Sequence, residues 1–325
     1  MRLVPYEDVV NAVTVGDLFD AVRDSLRLYS RRQVSVAAVG ILELDDGGDV
    51  HVKSAAMSHY LYFVVKVAAS LPNAAELGRP TANGAVLVFS ARSGELVASL
   101  ADRGRLTDLR TAAAGAIATD LLAVAGPLTV GIVGTGVQAR LQAEALAALR
   151  PITRLRLWGR RQDAARALAS ELAAALPGAL VESVSSLQGV VEESQAVITA
   201  TSSHEPLIRG RWLHPGQHLT ALGADDYSKA ELDDACFARA DLIVVDSRDQ
   251  NQTLGELGRL VQAGRPAAVA AELGDVLDGR HPGRSNPSQI TVAKLTGIGV
   301  QDLAAAQVLL QRLGPLVDGS PPSTD

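Results

Sequence analysis

A glycine-rich turn between a strand and a helix is the segment of this sequence best suited to hold a phosphate group. Residues 128–149 read as an apolar strand, a G-x-G-x-x-A motif and an alanine-rich helix. Gly134 permits a tight turn, Gly136 lets the backbone approach a pyrophosphate, and the small Ala139 lets helix and strand pack closely. The N–H groups at the helix start favour an anion. The motif therefore predicts a dinucleotide site, with contacts from Gly134, Thr135, Gly136, Val137 and Gln138.

The end of the next strand indicates which dinucleotide is preferred. An acid at this point reads the ribose 2′-hydroxyl of NAD, whereas an arginine accommodates the 2′-phosphate of NADP. Here the strand ends in Trp158-Gly-Arg160-Arg161 without an acid, so Arg160 favours NADPH over NADH, although an arginine can also stack on adenine without discriminating. Thr201 and Ser202 follow a later strand, at the sheet edge where ligands bind. They are either cofactor-binding residues or plain loop residues.

Composition and charge exclude several classes of protein. The chain has 325 residues, 47% of them hydrophobic and 20% charged, which is typical of globular proteins with two domains. A formal charge of −6 argues against a nucleic-acid partner. The N-terminus does not resemble a signal peptide, and no apolar run is long enough for a membrane helix. A cytoplasmic protein without membrane contacts is expected.

Cysteine and histidine usage narrows the chemistry further. The single cysteine, Cys236, excludes an internal disulfide and any cysteine-based metal cluster. The histidines show no metal-ligand spacing, so no metal is predicted. His51 is expected to be a structural residue rather than part of a site.

Two patterns of hydrophobicity divide the chain. Residues 7–30 have helical spacing, and five β-rich stretches follow between 34 and 100, which predicts helix and then an antiparallel or mixed sheet. A helix is predicted over 107–125. From 128 to 245 short apolar strands alternate with helices, which predicts a Rossmann-type, doubly wound parallel sheet. A last helix is predicted over 302–313.

Several segments resemble the ornithine cyclodeaminase/mu-crystallin family, whose members are nicotinamide-dependent proteins that act at the Cα–N bond of amino acids or cyclic imines. The segments that carry the resemblance are 63–68, 106–114, 134–139, 223–232 and 290–303. They follow the family's order across nearly the whole chain, so chance is a poor explanation.

The resemblance implies a dinucleotide domain inserted into another domain. Residues 1–118 and 301–325 are then expected to form a dimerisation and substrate-binding domain, and residues 119–300 the Rossmann dinucleotide-binding domain. The expected fold class is α/β, with a Rossmann-type doubly wound parallel sheet inserted in an α+β domain. A homodimer built through the N-terminal sheets is also implied.

The resemblance further implies site residues. The family's counterparts of Lys66 and Arg110 contact the substrate carboxylate, and the lysine is a proposed acid/base; a guanidinium suits a carboxylate, and a desolvated lysine can move protons. Asp225 matches the family's carboxylate beside the nicotinamide, with Asp226 as the competing assignment. Many members carry a further arginine on an early strand that this chain lacks. Lys53 either supplies that cation or is a solvent-facing strand lysine.

Together these residues predict a homodimeric NAD(P)-dependent enzyme that adds or removes hydride at the Cα of a small amino or imino acid. Imine or ketimine reduction, dehydrogenation of an amino acid such as alanine, and ornithine-type cyclodeamination need the same groups, so the reaction stays open. The alternative is a non-catalytic NADPH-binding protein of the mu-crystallin type. The joint presence of Lys66, Arg110 and Asp225 favours the enzyme.

Overall fold

The structure is a computed structural model that describes residues 1–45, 47–58 and 60–314. The chain divides into two compact units, one of Met1–Arg110 with the segment from Ile298 onward, and one of Thr111–Gly297. The predicted boundaries, at residues 118 and 300, fall a few residues later, and positions 315–325 of the predicted first domain lie outside the described residues. A search of the described residues found no helix with the length and apolar character needed to span a membrane.

The helices of the described residues are α1 (Tyr6–Ala12), α2 (Phe19–Ser30), α3 (Arg105–Leu122), α4 (Val137–Leu149), α5 (Gln162–Ala175), α6 (Leu187–Glu192), α7 (Asp234–Arg239), α8 (Arg248–Asn251), α9 (Gly255–Gln262), α10 (Leu273–Leu277) and α11 (Gly299–Arg312). Some helices, such as α2, α5 and α9, are amphipathic, whereas α11 is buried along most of its length. In α2 the buried residues Phe19, Val22, Leu26 and Tyr29 form one apolar face. The helix predicted over 302–313 begins three residues earlier, as α11.

The first unit is built on a mixed sheet. Its strands are β1 (Arg2–Val4), β2 (Val34–Val36), β3 (Gly40–Glu43), β4 (Asp49–Met57), β5 (Tyr62–Ser70), β6 (Ala82–Ser90) and β7 (Leu96–Leu100). They lie in the order β1-β7-β6-β5-β4-β2, with β3 paired to β4. Only the β1–β7 pair is parallel among the described strands of this sheet. The sequence predicts five β-rich stretches here; β1 has three residues, too few to show a period.

One face of this sheet is buried beneath helices. α11 packs against α2 and against β4 and β5. Buried and partly exposed residues alternate along β4 and β5, because successive side chains of a strand point to opposite faces. Lys53 on β4 lies directly opposite Lys66 on β5, and both are buried. The two lysines therefore share the helix-covered face.

The second unit contains a parallel sheet with strand order β10-β9-β8-β11-β12-β15-β13-β14. The strands are β8 (Leu128–Val133), β9 (Ile152–Trp158), β10 (Leu180–Ser183), β11 (Ala196–Thr199), β12 (His218–Ala221), β13 (Leu242–Val245), β14 (Ala271–Glu272) and β15 (Thr291–Lys294). β11, β12, β13 and β15 are buried along their whole length, as expected for parallel strands covered on both faces. This confirms the predicted α/β fold with a Rossmann-type sheet.

The strand order reverses between β8 and β11, which are neighbours in the sheet but not in the chain. Ligands of open α/β sheets bind beside the carboxyl ends of the strands at such a reversal. The predicted phosphate-binding turn at 134–139 follows β8, and Ala200 and Thr201 follow β11. The fold of this unit therefore directs a ligand to these two segments.

Candidate functional site

A cleft of about 600 Å³ opens where β8, β9 and β11 end. Its lining comes from the loops after these three strands. The lining residues are Gly134, Thr135, Gly136, Trp158, Gly159, Arg160, Arg161, Ala200, Thr201, Ser202, Ser203 and Leu207. All predicted cofactor-binding residues except Val137 and Gln138 are in this lining. Those two residues form the first turn of α4, directly after the lining residue Gly136.

The two glycines of the turn serve different purposes. Gly134 has φ of +129°, and a side chain there would lie 2.5 Å from the carbonyl oxygen of Ala200, so the fold itself requires glycine. Gly136 precedes α4 with an extended backbone, and a Cβ there would meet nothing within 4 Å. The protein's own packing does not explain this second glycine. A phosphate held against the start of α4 does, because the missing side chain leaves the backbone N–H groups accessible.

The charge of the cleft is positive. Arg160 and Arg161 are both exposed at its edge, and the lining residues of the described chain include no Asp or Glu. The hydroxyl of Thr201 donates to Glu231 (2.9 Å) and accepts from the backbone N–H of Ser203 (3.3 Å). The cleft thus offers hydroxyls and cations to a ligand that carries phosphate groups.

A buried cluster of charged side chains lies in the first unit. Lys66 from β5 and Arg110 from α3 both bind the carboxylate of Asp302, in the first turn of α11. The Nζ atom of Lys66 lies 3.0 and 2.9 Å from the two carboxylate oxygens, and Nε of Arg110 lies 2.9 Å from one of them. Arg110 also donates to Gln301 (3.1 Å). The three charged residues are 1–4% exposed.

This environment changes the ionisation of the cluster. Burial lowers the pKa of Lys66 to about 7, with Arg110 and Lys53 acting in the same direction and Asp302 opposing them. Burial alone would raise the pKa of Asp302, but Lys66, Arg110 and Lys53 outweigh burial and hold that pKa below its usual value. Asp302 is therefore an anion at neutral pH, and Lys66 exchanges a proton near pH 7. A group with such a pKa suits general acid–base chemistry.

Asp302 is the residue of this cluster that the sequence reasoning missed. It lies within the family-like segment 290–303, yet no role was assigned to it. The sequence feature that could have pointed to Asp302 is its position as the single charged residue among Gly299–Leu303. Its partners are 236 and 192 positions away in the chain, so local sequence carries no trace of the contact.

Asp225 and Asp226 have different surroundings in the loop after β12. Asp226 accepts hydrogen bonds from the backbone N–H groups of Ser228 (2.7 Å) and Lys229 (2.9 Å), so it stabilises the loop itself. Both carboxylates bind Lys229, at 2.9 and 2.8 Å. The side chain of Asp225 is 33% exposed, against 10% for Asp226. Of the two carboxylates, that of Asp225 is therefore the more accessible.

Charges within this loop shift the pKa values of Lys229 and Asp226. Although burial opposes it, Asp225 and Asp226 raise the pKa of Lys229 above its usual value. Burial would raise the pKa of Asp226, but Lys229 and the backbone hydrogen bonds lower it instead. This loop is therefore a charged segment at neutral pH.

The predicted site residues fall into two sets. Lys53, Lys66 and Arg110 belong to the first unit, and Asp225 belongs to the second unit together with the cleft residues. Lys53 is buried rather than facing solvent. His51 is also buried, 3.3 Å from Asp49 on its own strand.

A family model and a known protein match this chain over most of its length. A model of the ornithine cyclodeaminase/mu-crystallin family matches residues 3–314. An uncharacterized cyclodeaminase of Sinorhizobium fredii is 42% identical over 270 residues, which are 82% of this chain and 81% of that protein.

Two solved structures share the fold across both units. An archaeal alanine dehydrogenase dimer with bound NAD is 28% identical, with a TM-score of 0.88 over 96% of this chain and 95% of that one. The Delta(1)-pyrroline-2-carboxylate reductase of Thermococcus litoralis, in complex with NADH and L-proline, is 25% identical, with a TM-score of 0.89 over 96% and 97%.

Proposed function

The chain belongs to the ornithine cyclodeaminase/mu-crystallin family, and from this premise we propose that it is a nicotinamide-dependent enzyme acting at the Cα–N bond of a small L-amino acid or cyclic imino acid. The observation that carries the proposal is the buried cluster of Lys66, Arg110 and Asp302. A buried lysine whose pKa is lowered to about 7, held beside an arginine and a carboxylate, suits an acid–base catalyst.

The first role of the cluster is to bind a carboxylate. Lys53, Lys66 and Arg110 bring three cationic side chains to one buried region, against the single carboxylate of Asp302 among these four residues. An α-carboxylate of the substrate would bind to cationic groups of this region, above all to the guanidinium of Arg110. A guanidinium also fixes a carboxylate in orientation, which holds Cα in place for reaction.

The second role is proton transfer. When bound, the nicotinamide supplies or accepts the hydride at Cα. Lys66 donates a proton to the imine nitrogen during reduction and takes one from the amine during oxidation. The ammonium of Lys66 donates to Oδ1 of Asp302 (3.0 Å) and lies 2.9 Å from Oδ2, which orients the lysine for this transfer.

Asp225 is proposed to bind the substrate amine. Its carboxylate is the more exposed of the loop pair and already binds one ammonium, that of Lys229. The same group would engage a side-chain amine in a cyclodeamination, in which the amine attacks the Cα imine and ammonia leaves. The similarity to a protein named as a cyclodeaminase supports keeping ornithine among the test compounds.

We propose NADPH as the favoured cofactor over NADH. Arg160 and Arg161 stand at the edge of the cleft, where no acid accompanies them among the described lining residues. A 2′-phosphate would bind such an arginine pair by charge-assisted hydrogen bonds. The two similar solved structures contain NAD and NADH, so this preference would be a property of this chain.

We also propose a homodimer formed through the sheet of the first unit. The face of β5 and β6 opposite the buried one carries Phe63, Val65, Val67, Leu87 and Phe89, with the two phenylalanine rings stacked at 5.0 Å. An apolar sheet face of this kind is typical of an interface. Light scattering tests it: a Val65→Glu variant should be monomeric while the unaltered protein is a dimer.

A cytosolic location forms part of the proposal. The one cysteine, Cys236, is buried and free, and burial raises the pKa of its thiol above the usual value. With a single buried cysteine, the chain has no internal disulfide that an oxidising compartment would have to maintain.

The test of the function is a panel of compounds assayed at the absorbance band of reduced nicotinamide. The panel contains pyrroline-2-carboxylate and related cyclic imines with NADPH, and proline, alanine and ornithine with the oxidised cofactor. At least one compound should turn over, and Lys66→Met should abolish turnover while leaving NADPH binding intact. Cofactor binding without any turnover would favour the non-catalytic alternative instead.

A further inference from the structure

A buried glutamate joins two loops at the carboxyl edge of the Rossmann sheet. Glu231 is completely buried, and its Oε1 accepts from the backbone N–H (2.7 Å) and hydroxyl (2.9 Å) of Thr201. Its Oε2 accepts from the hydroxyl of Thr199 (2.7 Å) and the backbone N–H of Gly223 (2.8 Å). Thr201 lines the cofactor cleft, and Gly223 lies two residues before Asp225. One carboxylate thus holds both loops.

A second set of contacts, made by Glu256 and Lys294, reaches the same loop. Together with those of Glu231 they form a closed ring of contacts. Glu256 accepts from the backbone N–H groups of Glu231 (2.8 Å) and Leu232 (3.2 Å). Its other oxygen lies 3.3 Å from Nζ of Lys294, and this Nζ donates to the carbonyl oxygen of Ala224. Lys294 is fully buried at the end of β15. The ring begins at Gly223 and ends at Ala224, the two residues that precede Asp225.

The loops are also in direct contact. A side chain at Gly223 would lie 2.1 Å from the carbonyl oxygen of Thr201, so the backbones approach as closely as glycine permits. The backbone N–H of Gly255, at the start of α9, donates to the carbonyl oxygen of Asp226 (2.9 Å). The segment around Asp225 is therefore held from three sides.

Stability alone does not explain this arrangement. A buried set of ionised groups loses much of its Coulomb attraction to desolvation, and well-packed apolar residues are commonly as stable or more stable. What charged residues add is defined geometry at the backbone atoms that they contact. Here those atoms belong to the loop that carries Asp225 and to the edge of the cofactor cleft.

We propose that Glu231, Glu256 and Lys294 are positioning residues that fix Asp225 relative to the Thr201 edge of the cofactor cleft. None of them touches substrate in this proposal; they act through Gly223 and Ala224. The inference rests on the proposed function, in which Asp225 binds the substrate amine.

Two variants test the two sets of contacts separately: one alters Glu231, and the other alters Glu256 and Lys294. In Glu231→Gln the side-chain NH₂ replaces one oxygen, and in either orientation it faces a backbone N–H, of Thr201 or of Gly223. The double variant Lys294→Met/Glu256→Gln releases Ala224 and removes both members of the Glu256–Lys294 ion pair together. Glu192→Gln, an exposed position in the same unit, is the matched control.

The first readout does not depend on activity. Amide hydrogen exchange over residues 222–229 should be faster in Glu231→Gln and in the double variant than in the control, at temperatures well below unfolding. Unchanged exchange in both variants would overturn the proposal. Hydrogen exchange tests the positioning role even if the unaltered protein turns over no compound. In that case the proposed function fails, while the positioning role is still judged by the exchange rates.

The second readout separates positioning from general loss of structure. In the double variant, kcat should fall by roughly 10- to 100-fold, as for other residues that orient reacting groups, while the Kd for NADPH changes by no more than about twofold. Glu231→Gln should also lower kcat, because its side-chain NH₂ faces the backbone N–H of either Thr201 or Gly223 and so weakens the contact with one of the two loops. A double variant with the kcat of the control, or one losing NADPH affinity in proportion to kcat, contradicts the assignment.

Discussion

Replacement of Asp302 by asparagine is the most informative single change in the buried cluster. The carboxylate of Asp302 contacts both Lys66 and Arg110. Asparagine keeps the size and one acceptor oxygen but removes the negative charge. Because Asp302 is the group that opposes the lowering of the Lys66 pKa, the substitution should lower that pKa further.

The size of the effect follows from the geometry. An opposite charge in direct contact shifts a pKa by about one to three units, which corresponds to about 1.4 to 4 kcal/mol. The Nζ atom of Lys66 lies within 3.0 Å of both oxygens of Asp302, so an effect inside this interval is expected. The variant should therefore lose the proton of Lys66 at a pH lower by about one to three units.

The assay is the pH dependence of kcat/KM for imine reduction, which reports groups of the free enzyme. Reduction needs protonated Lys66, so activity of the unaltered enzyme should fall as pH rises through about 7. In Asp302→Asn the same decline should occur at lower pH. Asp20→Asn, an exposed acid paired with Arg23, is the control and should leave the profile unchanged.

Stability must be followed on the same samples. Removal of one partner from a buried ion pair costs about 3–5 kcal/mol, so thermal unfolding sets the assay temperature. A folded Asp302→Asn variant with the unaltered pH midpoint, or with a midpoint moved to higher pH, would refute the reasoning about Lys66.

Further substitutions test the remaining assignments. Lys53→Met should move the decline in kcat/KM to higher pH, since Lys53 lowers the pKa of Lys66; a move to lower pH would contradict the cluster's electrostatics. Arg160→Ala should raise the Kd for NADPH about tenfold more than that for NADH, measured by fluorescence titration, and an unchanged ratio would remove its role. Asp225→Asn should lower kcat by about 100-fold, whereas Asp226→Asn should have a small effect because asparagine retains the acceptor for Ser228 and Lys229; the reverse ranking would reassign the carboxylate.

The second unit was the easier part to predict from sequence. β8, β11 and β13 are short apolar runs between loops, and the glycine motif at 134–139 marks its own strand and helix. β15 was not predicted. It ends in the buried Lys294, which interrupts the apolar pattern, and it inserts between β12 and β13 although it comes last in the chain. Such non-local pairing leaves no periodic signal.

The candidate site was predictable only in part, for a similar reason. Lys66, Arg110 and Asp225 were identified through the family-like segments around them, not through periodicity. Asp302 and Glu231 lie in two of those segments, but their importance comes from partners distant in the chain: Lys66 and Arg110 for Asp302, Thr199 and Thr201 for Glu231. Burial of a charge, which marks both residues, becomes visible only in three dimensions.

In the proposed reaction, hydride moves between a nicotinamide cofactor and the Cα atom of an amino or imino acid. Incubation with NADPH deuterated at the transferable position, together with the cyclic imino acid identified in the panel, tests it directly. Mass spectrometry and NMR of the product should show one deuterium, bonded to Cα. A product without deuterium, or with deuterium at another carbon, would contradict the account.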